Sequence, residues 1–221
     1  MIEAINKLQR PSMSLVRMYS RLHTTREHLK MVDEALRRDK RDGNKALINH
    51  ALTRNCELAL QLLYTHLNEF LKSILSEMFK HKPLQIVDKA QGSLKFHEIL
   101  NLGSYDAVCD HIVDKVFRKL QNERSARNLV TKILDGTHAT ISGETLDDAM
   151  FYIEIRHLIV HNSSLIDKSF EERYPLAFKY VKEGNKMPLS CAFARDGIKS
   201  VQKLCEEIDR SLVFNRYINP R

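Results

Sequence analysis

From about Lys45 to Lys80 the chain runs without a glycine or a proline: ALINHALTRNCELALQLLYTHLNEFLKSILSEMFK follows directly on Lys45. Leu47, Ala51, Leu58, Leu62, Leu67, Phe70, Leu71, Ile74 and Met78 recur there at spacings near 3.6 residues. That period predicts one helix with a wide apolar stripe. A helix of roughly 35 residues is about 50 Å long. It suits the central rod of a bundle or the spine of a dimer. Pro83, within HKPLQ, then stops it, because the ring offers no amide hydrogen and clashes with the preceding turn.

A rod of that length must be covered by other elements along its stripe, and the rest of the chain offers helices. SLVRMYSRLHTTREHLKMVDEALRR predicts a first helix from Ser12 or Ser14 to about Arg38, with Leu15, Met18, Leu22, Leu29, Val32 and Leu36 inward. RRDKRDGNK breaks it as a basic turn. Between residues 84 and 141, FHEILNLGSYDAVCDHIVDKVFRKLQ and SARNLVTKILDG predict shorter helices interrupted at Gly103 and Gly136. A helix over about 145–162 follows, where Thr145 in TLDD offers a capping hydroxyl. Residues 163–187 read as irregular, and SCAFARDGIKSVQKLCEEIDRSLVF predicts a last helix over about 190–214. No alternating Val/Ile/Thr run signals a strand. The expected fold is all-α: a helical bundle with a long central helix and four or five substantial helices, one domain over residues 1–221.

Seven glycines and five prolines in 221 residues agree with that architecture, and 43% hydrophobic with 29% charged residues excludes a disordered chain. The net charge of +7 and pI of about 9.2 favour polyanionic partners such as RNA, DNA or acidic membrane surfaces, or serve solubility alone. Arg37, Arg38, Lys40 and Arg41, and Arg124 with Arg127, are candidate contacts to a nucleic-acid backbone; a solvated loop is the plainer account of the first cluster. Aromatics are too few, and not interleaved with these clusters, for a base-stacking platform. Cys56, Cys109, Cys191 and Cys205 form no CxxC pair, which argues against a zinc knuckle and gives no disulfide framework. Isolated thiols, an N-terminus (MIEAINKLQRPSMSL) without a signal-peptide core, and no apolar run long enough for a membrane point to the cytoplasm. The Asn162-Ser163-Ser164 sequon is then chance.

Chemistry concentrates in LDDAMFYIEIRHLIVHN, an oily stretch that carries an arginine and two histidines. At about 100° per residue, Glu154, His157 and His161 share one polar stripe, while Arg156 lies about 140° from His161. Three accounts are open. Arg156 and Glu154 form a structural ion pair beside two core histidines, because a buried cation needs a partner. Or His157 and His161, spaced i, i+4, chelate a metal; but Leu158 stands where the HExxH motif has its glutamate, and no third ligand is evident. Or the group handles phosphate: a guanidinium forks onto phosphate oxygens and an imidazole moves protons near neutral pH. Asn49, His50, Arg54, Asn55 and Glu57, on the first half of the long helix, are candidates to line a cleft opposite, or simply a solvated face.

Arg156-His157-Leu158-Ile159-Val160-His161 resembles the R-X4–6-H motif of the HEPN superfamily, in which a polar residue usually follows the arginine. Asn162 follows the motif, Leu165-Ile166-Asp167 comes soon after, and LLYTHLNEFLKSIL sits on a long early helix, a layout similar to bacterial RiboL-PSP-HEPN-like proteins. The resemblance implies a HEPN-like helical homodimer whose two motifs face each other. It also implies a composite, metal-independent endoribonuclease site without cofactor, in a toxin or phage-defence effector with an antitoxin or defence-system partner. Arg156 would contact the phosphate, His161 would act as general acid/base, and His157 would orient or assist. Asn162 would shape the helix end or contact substrate. Independently of the resemblance, Glu154 on the polar stripe and Asn49 and Arg54 on the long helix are further candidate substrate contacts. Where the family often has a glycine after the HN step, this chain has Ser163-Ser164. The alternative is a non-catalytic helical dimer that binds a nucleotide or a partner protein.

Overall fold

The computed structural model describes residues 10–39, 45–84, 93–121, 125–175 and 182–221. Among them the helices are α1 (Met13–Asp39), α2 (Lys45–His81), α3 (Phe96–Leu102), α4 (Tyr105–Gln121), α5 (Ala126–Leu134), α6 (Gly143–His161), α7 (Lys168–Arg173) and α8 (Cys191–Phe214). Five are long and three are short, and no strand forms among the described residues beyond an isolated antiparallel bridge between Leu165 and Lys186. The chain is all-α. Among the described residues no helix is long and apolar enough to cross a membrane. Of the basic clusters, Lys40, Arg41 and Arg124 lie outside the described residues.

Local chemistry sets the helix ends. The Ser12 hydroxyl accepts the Leu15 amide at 3.2 Å and opens α1. Gly103, at φ +71°, ends α3 in the left-handed conformation that costs a glycine nothing. The cap of α6 is Ser142 and not Thr145: the Ser142 hydroxyl accepts the Thr145 amide, and Thr145 is buried in the first turn. A cap needs extended backbone ahead of the helix, which Ser142 supplies with φ −61° and ψ 130°. The Ser190 hydroxyl accepts the Phe193 amide at 3.1 Å and opens α8.

The stripe expected on α2 holds in its second half, where Leu67, Phe70, Leu71, Ile74 and Met78 are all buried. In the first half it is out of phase. Leu47 is 61% and Leu58 47% exposed, while Ile48, Cys56, Ala59, Leu60 and Leu63 are buried. Apolar residues there occupy nearly every side of the helix, so two stripes about 100° apart are available and the neighbouring elements select one. On α1, Leu15, Met18, Leu22 and Leu29 are buried as expected, joined by Thr25 and Asp33. Thr25 has a partner there, since its hydroxyl meets the His66 Nε2 at 3.0 Å.

The residues form two compact units, and α1, α2 and α8 each contribute a segment to both. The first unit takes the chain up to Arg17, Asn68–Ile141 and Cys205–Arg221. Its core includes Phe70, Ile74, Val113, Val116, Ile133, Ile208 and Leu212. Within it the Asp209 carboxylate is buried and accepts the Ser12 amide at 3.1 Å. Burial pushes the Asp209 carboxyl above the usual range, partly offset by the bonds from Ser12.

The second unit takes Met18–Leu67 and Ser142–Leu204. Phe151 anchors an aromatic cluster there: its ring lies 5.1 to 6.1 Å from those of Tyr152, Tyr174, Phe170 and Phe193. Gly197 is buried in the middle of α8, where a Cβ would stand 2.9 Å from the Tyr152 ring and 3.3 Å from Leu63. Glycine lets α8 approach α6 at that level, which an added methyl would prevent.

Two outcomes follow. Gly197→Ala should destabilise the protein by about 1–3 kcal/mol through overpacking, despite the gain of about 1 kcal/mol in helix propensity; chemical unfolding measures the balance. Asp209→Asn keeps an acceptor for the Ser12 amide and removes a charge that the fold holds at a cost. A raised carboxyl binds its proton earlier in the native state than in the unfolded one, so that cost is full at neutral pH and disappears as pH falls. The variant should therefore be more stable than wild type at pH 7, with the difference shrinking toward pH 4.

Candidate functional site at the end of α6

α6 begins as a core helix and ends at the surface. Ala149, Met150, Phe151, Ile153, Ile155 and Leu158 are buried, whereas His157, Val160 and His161 are exposed. The stretch that reads as oily on nearly every side thus has one open strip over its last two turns. The His157 and His161 rings face each other there, with centroids 4.8 Å apart and planes at 45°. Helical i, i+4 spacing brings them together, as the sequence predicts.

Arg156 is half-buried on the adjoining side, and its guanidinium lies over the Tyr64 ring from α2, 4.4 Å from the centroid. Stacking on an aromatic face steadies a guanidinium from one side and keeps its N–H edges in plane for acceptors. The ion pair with Glu154 is not what forms. Glu154 pairs instead with Arg173 of α7, whose other nitrogen donates to the Ser169 hydroxyl at 2.8 Å. The segment after His161, expected to be irregular, contains α7, and Arg173 comes back from it to Glu154.

The turn after α6 carries unusual backbone. Ser163 and Ser164 have φ of +51° and +65°, the left-handed region in which a side chain costs roughly 1–2 kcal/mol per residue. These are the positions where a glycine is expected by resemblance, and the serines take the glycine conformation. Hydrogen bonds hold them in it. The Leu158 carbonyl accepts the amides of both Asn162 (3.0 Å) and Ser164 (2.9 Å). The Asn162 side-chain amide donates to the Leu165 carbonyl at 2.7 Å, and the Ser164 carbonyl accepts the Met187 amide at 2.8 Å. The Ser164 hydroxyl donates to Glu57 Oε1 at 2.9 Å in a buried setting.

Glu57 is a buried carboxylate on α2, and Arg54 donates to its other oxygen at 2.7 Å. Arg54 is thereby joined to the turn through Glu57, with its own side chain largely exposed. Asn49 and His50 lie exposed further up α2, and Asn55 is buried. The structure therefore brings Arg156, His157, His161 and Asn162 to one end of α6 and links Arg54 to them, while Glu154 is taken by Arg173. Asn49 makes no described contact with that group. Arg37 pairs with Asp33 at 2.9 Å at the end of α1.

Tyr64 and Arg173 were not singled out by sequence reasoning, and Ser164 only as a departure from the glycine expected by resemblance. Ser164 had a signal, since it stands where a left-handed residue is required. Tyr64 and Arg173 had none, because both act through tertiary contact. Among the described residues no group of three or more His, Cys, Asp or Glu is placed to hold a metal ion. No family model, characterised protein or solved structure matches this chain.

The turn makes opposite demands on its two serines. Ser164→Ala keeps the left-handed strain and removes a donor from a buried carboxylate, so it should cost about 1–3 kcal/mol. Ser163→Gly relieves strain at an exposed position and should stabilise by up to about 1 kcal/mol. Urea unfolding midpoints of the two variants, moving in opposite directions, provide the check.

Proposed function

We propose that this chain is a metal-independent endoribonuclease of the HEPN kind, with Arg156, His157 and His161 as its reacting groups. The observation that carries the reading is the placement of one guanidinium and two imidazoles on the last turns of α6, with the imidazoles exposed. Arg156, steadied on Tyr64, supplies a cation for the scissile phosphate as charge develops on it. His161 takes the proton from the RNA 2′-hydroxyl or returns one to the departing 5′ oxygen. His157, beside it, orients or assists. The 2′ oxygen bonds to phosphorus as the bond to the 5′ oxygen breaks, giving 2′,3′-cyclic phosphate and 5′-hydroxyl ends.

Two catalytic protons need two positioned groups, and a two-fold assembly would supply a second copy of each. The net charge of +7 supports a polyanionic substrate. Asn162 contributes by shaping the turn, its side chain being engaged with Leu165. An antitoxin or other partner covering the exposed imidazoles would restrain such an enzyme.

The test is incubation of the purified protein with RNA in EDTA, followed by end-group analysis. Cleavage should persist under chelation with cyclic phosphate ends, and His161→Ala or Arg156→Ala should slow it by about 10²-fold or more without changing the circular dichroism. Cleavage abolished by EDTA, or unaffected by His161→Ala, would overturn the reading. RNA or nucleotide binding without cleavage would instead establish a non-catalytic binding module.

A further inference from the structure

Cys56 and Cys191 are separated by 135 residues of chain, yet their sulfurs lie 3.6 Å apart. Cys56 sits on α2 and is fully sealed; Cys191, the first residue of α8, is 9% exposed. We propose that the two form a reversible disulfide, a covalent staple between α2 and the start of α8, when Cys191 meets a peroxide. The inference goes beyond the nuclease reading and does not depend on it.

The geometry asks for little movement. A disulfide holds its sulfurs about 2.0 Å apart, so the two sulfurs have roughly 1.5 Å left to close. The order of events follows from access. Burial first, and Cys191 next to it, push the Cys56 thiol up to about 12, so Cys56 stays protonated and out of reach of solvent oxidant. Cys191, at 9% exposure against 0% for Cys56, is the less enclosed of the two and the one an oxidant would meet first. Its thiol takes a hydroxyl from the peroxide as the O–O bond breaks, giving the sulfenic acid and one water. The Cys56 sulfur then attacks the Cys191 sulfur. The S–S bond forms, the S–O bond breaks, and the departing hydroxyl leaves as a second water with the Cys56 proton. Two thiols are oxidised and one peroxide is reduced, so the electrons balance.

The staple lies under the candidate site. Cys56 directly precedes Glu57, the carboxylate that accepts the Ser164 hydroxyl. A bond at Cys56 therefore anchors the turn of α2 on which the segment after His161 hangs. Closing so long a stretch of chain also restricts the unfolded ensemble more than a short loop would.

The full-length protein, native and reduced, is treated with hydrogen peroxide, quenched, then unfolded with an alkylating reagent and mapped without reduction. The expected result is loss of two hydrogens, a peptide cross-linked between Cys56 and Cys191, and Cys109 and Cys205 both alkylated. Dithiothreitol should reverse the link, and the linked form should melt roughly 5 °C higher. In Cys56→Ala, Cys191 should be over-oxidised without a cross-link. In Cys191→Ala, where the altered residue is at a helix start and folding is least at risk, Cys56 should remain a thiol. Four alkylatable thiols after peroxide, a link involving Cys109 or Cys205, or oxidation of Cys56 in Cys191→Ala would each overturn the proposal.

Discussion

The hydrogen bond from Ser164 to the buried Glu57 carboxylate is the contact on which the geometry around α6 depends. A carboxylate removed from water requires donors, and Glu57 finds two: the Arg54 guanidinium and the Ser164 hydroxyl. In return Glu57 fixes the only part of the turn whose backbone is costly, two consecutive serines in the left-handed region among the described residues. With that turn fixed, α6 ends at His161 and the following chain doubles back, pairing Leu165 with Lys186. α7 is then placed so that Arg173 reaches Glu154.

These contacts sort the polar residues of α6 by role. Glu154 and Asn162 are engaged within the fold, one with Arg173 and the other with the Leu165 carbonyl. Arg156 is held on the aromatic face of Tyr64. His157 and His161 are presented to solvent. A core helix that spends its polar residues in this way keeps two imidazoles at the surface with a half-buried guanidinium beside them.

Much of the architecture was legible in the pattern of residues. The span of α2, the stop at Pro83, the breaks at Gly103 and Gly136 and the extent of α8 all follow from apolar spacing and from local backbone chemistry acting over a few residues. The pairing of His157 with His161 was legible for the same reason, because helical geometry alone determines it. The phase of the first half of α2 was not. With Leu47, Ile48, Leu52, Leu58, Ala59, Leu60 and Leu63 spread around the helix, no periodicity selects the buried side; it is selected by what packs there.

What the amino-acid sequence determined by itself is an all-helical chain with capped and broken helices at set places, and an arginine and two histidines near the end of one of them. Those outcomes depend on interactions within about one helical turn, which any chain with these residues would make. Tertiary structure alone decided that Arg156 rests on Tyr64, that Glu154 answers Arg173, that Glu57 holds Ser164, and that Cys56 meets Cys191. Each of those pairs joins residues far apart in the chain, and their meeting depends on how helices align, which no local pattern encodes.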